Sequence, residues 1–322
     1  MTPIISFIIP TYNQAHTVGR AIESIYREFE PEMHAFEIIV IDDGSTDQLE
    51  DTIKALSKHR DSIKYIRTEN RGPSAARNSG ICSASGRLLF FLDSDDELGF
   101  LPKECLNEIQ TFEGQVAILD KQFRDGIDER RESTGTKIIS ADRALMELCI
   151  GGLKQGIGLG KLFSREFIVT NQLFFSEELT VGEDLIFIHS ALLHCEQVAV
   201  IGHDCVLYEP TLRGLSLRPP QDSKLEALEK KLHCIWLNAD RINQPMLATL
   251  YSRILIPYAI KFNVRRYDTR IFLLANASDM DTTDKRISFI LRLFRANQLI
   301  GRAFFSILRQ AHLLKSSYTR NN

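Results

Sequence analysis

The sequence offers neither a thiolate framework nor a membrane span. Its six cysteines (Cys82, Cys105, Cys149, Cys195, Cys205 and Cys234) are scattered, with no CxxC pair and no nearby His pair. That pattern suggests neither a zinc site nor a disulfide scaffold, and it suits reduced thiols in the cytoplasm. No window supplies the roughly 18 uninterrupted apolar residues of a spanning helix. Arg253, Lys261, Arg292, Arg295, Arg302 and Arg309 interrupt every candidate. The first residues lack a basic stretch and Pro10 cuts their apolar run short, so a secretory leader is not expected. An excess of one charge is lacking too: 39 Lys+Arg stand against 42 Asp+Glu, and a net charge of −3 argues against nucleic acid as a partner.

What is present fits an ordinary globular protein. At 44% hydrophobic and 25% charged residues, wholesale disorder is excluded. A length of 322 residues suggests two domains at roughly 150 residues each. Short apolar runs at residues 4–9, 36–41, 63–66 and 88–92 read as strands, each closed by Pro, Asp, Asn or Gly. Helical patterns lie between them at 18–29, 49–58 and 74–84. The alternation predicts βαβ units and an α/β fold with a mainly parallel sheet, its strands apolar on both faces beneath helices. Further on, 116–123 reads as a strand, 124–137 as a polar hairpin or loop, and 141–150 as a helix. Five glycines then fall within residues 151–160, so the backbone there bends tightly or approaches something closely. A helix over 183–194 and a strand over 198–208 follow. Beyond Pro219 and Pro220 the pattern is almost purely helical, which places a catalytic domain at 1–218 and a helical region at 219–322.

Ligands of open α/β sheets bind outside the carboxyl ends of the strands. Three such ends carry polar sequences here: Pro10, Thr11, Tyr12 and Asn13 after the first strand; Asp42, Asp43, Gly44, Ser45, Thr46 and Asp47 after the second; and Asp93, Ser94, Asp95 and Asp96 after the fourth. Carboxylates crowded at 4 Å repel by about 4 kcal/mol per pair at an effective dielectric constant near 20. A divalent cation relieves that repulsion, and an oxygen-only donor set suits Mg²⁺ or Mn²⁺. An isolated Asp cluster is as readily a solvated turn; its position behind an apolar strand and beside a second Asp-rich turn favours the metal. In the stretch after the third strand, Gly72 supplies a turn and Pro73 the first position of a helix. Arg77 lies one turn on and faces back toward the rim. It is either a surface charge or a cation for a phosphate or for the Asp clusters.

These four segments, in this order and spacing, resemble family 2 glycosyltransferases, nucleotide-sugar enzymes of the GT-A fold, over about residues 3–215. The resemblance implies that Pro10, Tyr12 and Asn13 line the nucleotide pocket, with Asp43 accepting from a uracil ring. It implies that Arg77 lies near the nucleotide and Asp93 near the ribose, and that Asp95, or Asp96 as its alternative, binds a metal on the diphosphate. Gly182, Glu183 and Asp184 match the family's ED motif, which makes Asp184 the catalytic base and Glu183 an aid to the acceptor. The bland alternative is that both carboxylates merely complement a helix N-terminus. Gly160 through Arg165 resembles a stretch found in bacterial surface-polysaccharide members, although the Trp often present there is absent. The segment with Arg213 and Ser216 resembles a loop closing over the diphosphate.

The implied activity is metal-dependent, inverting transfer from a UDP-hexose or UDP-N-acetylhexosamine to a glycan or lipid-linked acceptor. Two rivals are a non-catalytic nucleotide-sugar or glycan-binding module and a nucleotidyltransferase. The second lacks its glycine- and lysine-rich phosphate loop, since Thr11, Tyr12, Asn13 and Gln14 follow the first strand. Residues 285–322 hold eight basic residues and no acidic one. Over 284–315 the arginines and the apolar side chains segregate at helical spacing. This tail either touches an anionic membrane surface at the inner face of the cell or packs its apolar side on the catalytic domain.

Overall fold

The computed structural model describes residues 3–29, 35–123, 136–150, 160–179 and 182–208. The chain divides into two units, Met1–Ala144 with Gln155–Pro220 and Leu145–Lys154 with Gln221–Asn322. All described strands belong to the first unit; the described part of the second is residues 145–150, the end of one helix. The expected boundary at 218–219, the helical region 219–322 and Arg213 lie outside the described residues.

The chain runs β1 (Ile5–Thr11), α1 (Val18–Glu28), β2 (Phe36–Asp42), α2 (Leu49–Ser57), β3 (Ile63–Arg67), α3 (Pro73–Ser83) and β4 (Leu88–Phe91). It continues with β5 (Glu97–Leu98), α4 (Lys103–Thr111), β6 (Val116–Phe123), β7 (Thr136–Ser140), α5 (Ala141–Ile150) and β8 (Lys161–Ser164). Then come α6 (Arg165–Thr170), α7 (Glu183–Leu193) and β9 (Gln197–Tyr208). One nine-stranded sheet results, ordered β3-β2-β1-β4-β8-β6-β9-β5, with β7 paired to β9. β1 to β4 are parallel neighbours, and β6 and β9 run the same way. β5, β7 and β8 oppose them. The sheet is therefore mixed, with its parallel half at the N-terminal end as expected.

The strands alternate faces, as a period of two demands. Phe7, Ile9, Phe90, Leu92 and Leu162 join one core with Val18, Ala21, Ile22 and Ile25 of α1, Leu49 and Ile53 of α2, and Cys105, Leu106 and Ile109 of α4. The 3–4 spacing of the α1 residues is what buries one stripe of that helix. Ile8, Phe91 and Phe163 face the other side. There Gly80 brings α3 so close that a Cβ would stand 2.3 Å from Ile8 Cγ2. On the same side Phe187 of α7 meets Phe91 at 5.9 Å and Phe163 at 5.4 Å.

The expectation of strands buried on both faces holds for β1, β2 and β4 and fails for β3. β3 is a sheet edge, and its Lys64 and Arg67 are exposed. Of the expected hairpin at 124–137 the described end, Thr136 and Lys137, opens β7; the rest lies outside the described residues. Of the glycine-rich stretch only Gly160 is described. Its φ of 73° and a Cβ position 3.0 Å from the Leu119 carbonyl explain why no larger residue stands there. Among the described residues no helix is long and apolar enough to cross a membrane.

Candidate active site

Because β2, β1 and β4 are adjacent and parallel, their carboxyl ends open on one rim. The first two loops are sewn together there. Asn13, at φ 54°, donates its N–H to Ser45 Oγ at 2.9 Å, and its Oδ1 accepts from Thr46 N at 2.8 Å. Asp47 Oδ2 accepts from Ala15 N at 2.9 Å. Tyr12, 48% exposed, projects from this junction, while Pro10 is half-buried at the end of β1.

The neighbouring aspartates divide their tasks. Asp42 is fully buried, and it accepts from Ser45 N at 2.7 Å, Tyr65 Oη at 2.5 Å and Arg67 Nη1 at 3.0 Å. Burial alone would raise its carboxyl, but the hydrogen bonds from Ser45 and Tyr65 and the Arg67 charge outweigh it and hold Asp42 below the usual range. Burial and this hydrogen bond together push the Tyr65 hydroxyl up to about 12. Asp43 turns the other way and accepts from the backbone N–H groups of Arg71 and Gly72, each at 2.8 Å. With Gly72 at φ 93° and Pro73 at the first helical position, this fixes where α3 begins.

Arg77, one turn into α3, is the centre of the site. Its side chain is 8% exposed, and it donates through Nη2 to Asp93 Oδ1 at 3.0 Å and through Nη1 to Glu183 Oε1 at 3.2 Å. Its guanidinium carbon lies 5.3 Å from the centre of the Phe175 ring. Phe175 is stacked on Phe187 at 4.1 Å and held by Asn78, whose side chain donates to the Phe175 carbonyl and accepts from its N–H. Three segments (α3, the turn after β4 and the start of α7) thus share one ion network around the buried Arg77. Burial would lower the Arg77 pKa, but Asp93, Glu183 and Asp184 outweigh it and raise it.

The two carboxylates of α7 respond to the same crowding. Burial and the neighbouring Asp184 push the Glu183 carboxyl up to about 7, against the pull of Arg77. Asp184 is also raised, first by burial and then by Asp93, while Arg77, the Leu185 N–H at 2.9 Å and Lys161 act the other way. Two acids held above their usual range beside a buried cation are what proton transfer near neutral pH requires. Glu183, besides standing in the first turn of α7, is paired with Arg77 on another helix.

In the turn after β4, Asp93 belongs to Arg77, Asp96 is buried at 2% exposure, and Asp95 stands partly open. The Asp96 N–H closes the turn onto the Asp93 carbonyl at 3.0 Å. Among the described residues no group of three or more His, Cys, Asp or Glu is arranged to hold a metal ion. One or two carboxylates at a rim are nevertheless the donor set Mg²⁺-type ions take when substrate phosphates supply the rest. The structure therefore brings Arg77, Asp93, Glu183 and Asp184 together, with Asp43, Asn13, Pro10 and Tyr12 along the same rim. The residue readings passed over Phe175, and they gave Lys161 no role of its own within the stretch Gly160 through Arg165. Lys161, a lysine inside the apolar strand Lys161–Ser164, carried the only local signal of the two.

A family model described as glycosyl transferase family 2 matches residues 6–151. The minor teichoic acid biosynthesis protein GgaA of Bacillus subtilis (strain 168) is 29% identical over 283 residues, 80% of this chain and 58% of the relative. The succinoglycan biosynthesis protein ExoO of Rhizobium meliloti (strain 1021) is 33% identical over 201 residues, 59% of this chain and 56% of the relative. The chain spans little more than half the length of these relatives. In structure it resembles Staphylococcus aureus TarS 1–349 in complex with UDP-GlcNAc, with a TM-score of 0.68, 20% identity and coverage of 97% of this chain and 92% of that one. The mannosyltransferase PcManGT of Pyrobaculum calidifontis, in complex with GDP-Man and Mn²⁺, aligns with a TM-score of 0.56 and 16% identity, over 97% and 88% of the two chains. The fold is the GT-A architecture that the motifs implied.

Proposed function

We infer, from a chain whose residues 6–151 belong to glycosyl transferase family 2, that this protein transfers a sugar from a nucleotide sugar to an acceptor hydroxyl. The observation that carries the reading is the Arg77 bridge from Asp93 to Glu183, which draws together the donor rim and the first turn of α7, where the candidate base Asp184 stands. TarS, a structural neighbour, was solved with UDP-GlcNAc, and this supports a UDP-hexose or UDP-N-acetylhexosamine donor. The names of GgaA (teichoic acid biosynthesis) and ExoO (succinoglycan biosynthesis) support a bacterial polysaccharide as acceptor; we propose a glycan or lipid-linked form of it.

In the proposed reaction the uracil and ribose lie along Pro10, Tyr12, Asn13 and Asp43, with Asp93 nearest the sugar-phosphate end. Arg213 is proposed to close over the diphosphate. Asp184 takes the proton of the acceptor hydroxyl as its oxygen attacks the anomeric carbon, and Glu183 orients that acceptor. The bond to the diphosphate breaks on the opposite face, so the configuration inverts. Asp95, with Asp96 behind it, would hold Mg²⁺ or Mn²⁺, and such an ion supplies charge stabilisation of the departing diphosphate in place of a general acid. The basic tail from Lys285 to Arg320 is proposed to draw the protein to anionic membrane, and salt-sensitive vesicle flotation of the full chain against a tail deletion tests that.

The test of activity is UDP release with a panel of UDP-sugars and Mn²⁺, for the wild-type chain and Asp184→Asn. Wild-type turnover and a loss of about 10²–10⁴-fold in the variant are expected. Equal turnover in the two proteins would remove Asp184 as base.

A further inference from the structure

Lys161 is the one lysine counted among the largest fully buried side chains described, at 1% exposure. Such burial is costly for an ammonium unless a countercharge faces it. Its surroundings follow from the sheet. In the β4–β8 pairing Leu89 stands opposite Phe163 and Phe90 opposite Leu162, so Lys161 comes level with the end of β4, just below the turn that carries Asp93. Two residues along β8, Phe163 shares its face, and Phe163 packs on Phe187 of α7 at 5.4 Å. Asp184 lies one helical turn before Phe187. The Lys161 side chain thus leaves the sheet on the side of α7 and toward the end of that helix where Asp184 stands.

We propose that Lys161 is a positioning residue for Asp184, the buried counter-cation on the sheet side of that carboxylate. This rests on the reading of Asp184 as the base. Asp184 is then faced by Arg77 from α3, Asp93 from the turn after β4, Glu183 from its own helix and Lys161 from β8. Arg77 is already committed to Asp93 and Glu183. Lys161 is a second cation set against the crowding of three carboxylates, and its charge opposes the rise that burial imposes on Asp184. Lys161 thus works against the upward pull of burial on Asp184 and holds its carboxylate toward the rim.

The experiment uses the full chain with Lys161→Met, Lys161→Arg, Asp184→Asn and the Lys161→Met/Asp184→Asn double variant. It reads kcat and donor KM by UDP release across pH, and thermal melting of all four. Lys161→Met is expected to lower kcat about tenfold at neutral pH, leave donor KM within about twofold and move the acid limb of kcat upward by about one pH unit. Lys161→Arg restores most of kcat. In melting, the loss caused by Lys161→Met is expected to shrink in the Asp184→Asn background, because the partner is gone. An unmoved acid limb with equal melting losses in both backgrounds would overturn the proposal and leave Lys161 a packing residue. If Lys161→Met does not fold, Lys161→Gln carries the same cycle. A wild-type chain that turns over no donor would instead defeat the functional reading, and the melting cycle would still decide the Lys161–Asp184 coupling.

Discussion

Arg77 and Glu183 are separated by 106 residues, yet their side chains meet at 3.2 Å, in a network around the buried Arg77 that Asp93 completes at 3.0 Å. Removing Arg77 leaves Glu183 enclosed without its countercharge, while Asp93 keeps some access to water. Arg77→Met is therefore expected to destabilise the protein by about 3–5 kcal/mol in chemical denaturation. Arg77→Lys keeps the charge and loses the two-pronged geometry, so it is expected to recover much of the stability and little of the turnover. Equal recovery of both would mean that charge alone is required.

His189 sets a pH limit of its own. It is 3% exposed on α7, its Nδ1 has no hydrogen-bond partner, and burial pushes its pKa down to about 4 from an ordinary 6.5. A depressed imidazole gives stability that is full above pH 6.5 and is lost as pH falls toward 4, about 3 kcal/mol in all. Glu183, raised to about 7, works in the opposite sense: its folded form holds the proton more tightly, so stability rises as pH falls below 7. The two partly cancel in the wild type. Subtracting the stability curve of His189→Leu from that of the wild type isolates the imidazole, and the difference should grow below pH 6.5. A flat difference would show that His189 is not buried neutral.

Gly80 is where α3 touches the sheet. A Cβ at 2.3 Å from Ile8 Cγ2 cannot be accommodated without moving the helix. Gly80→Ala is expected to cost about 1–3 kcal/mol. Turnover should fall with it, because Arg77 rides on the same helix. Adding Ile8→Ala opens the space and should return part of the turnover, while a lone loss of stability with unchanged kcat would uncouple the helix position from the site.

Chelation separates the two candidate metal carboxylates. EDTA is expected to abolish UDP release and Mn²⁺ to restore it. Asp95→Asn should raise the Mn²⁺ concentration needed for half-maximal rate with little effect on melting. Asp96→Asn, at a position only 2% exposed, should lower the melting temperature first. If the two variants exchange these behaviours, Asp96 is the ligand.

Much of this site is legible in the chain before any fold is known. Short apolar strands that end in Asp, Asn and Pro mark both the parallel sheet and its rim, and Gly72 followed by Pro73 marks the start of α3. β8 escaped because four residues that begin with a lysine carry too little period to register. α4 escaped because Glu104, Asn107 and Glu108 mask the stripe of Cys105, Leu106 and Ile109. The Arg77–Glu183 pair and the place of Lys161 arise from packing between elements distant in sequence, which no local pattern encodes. The order of β8 and β6 beside β4 is tertiary information of the same kind.

Asn78 grips Phe175 at both its N–H and its carbonyl, at 2.8 and 2.9 Å, as a neighbouring strand would. The gripped ring lies flat on Phe187, one turn beyond Asp184. A tilt of α3 must therefore drag this aromatic pair, and with it the first turn of α7. A ligand that seats itself against the front of α3 would be felt by the acids at the start of α7 through stacked rings, with no hinge required.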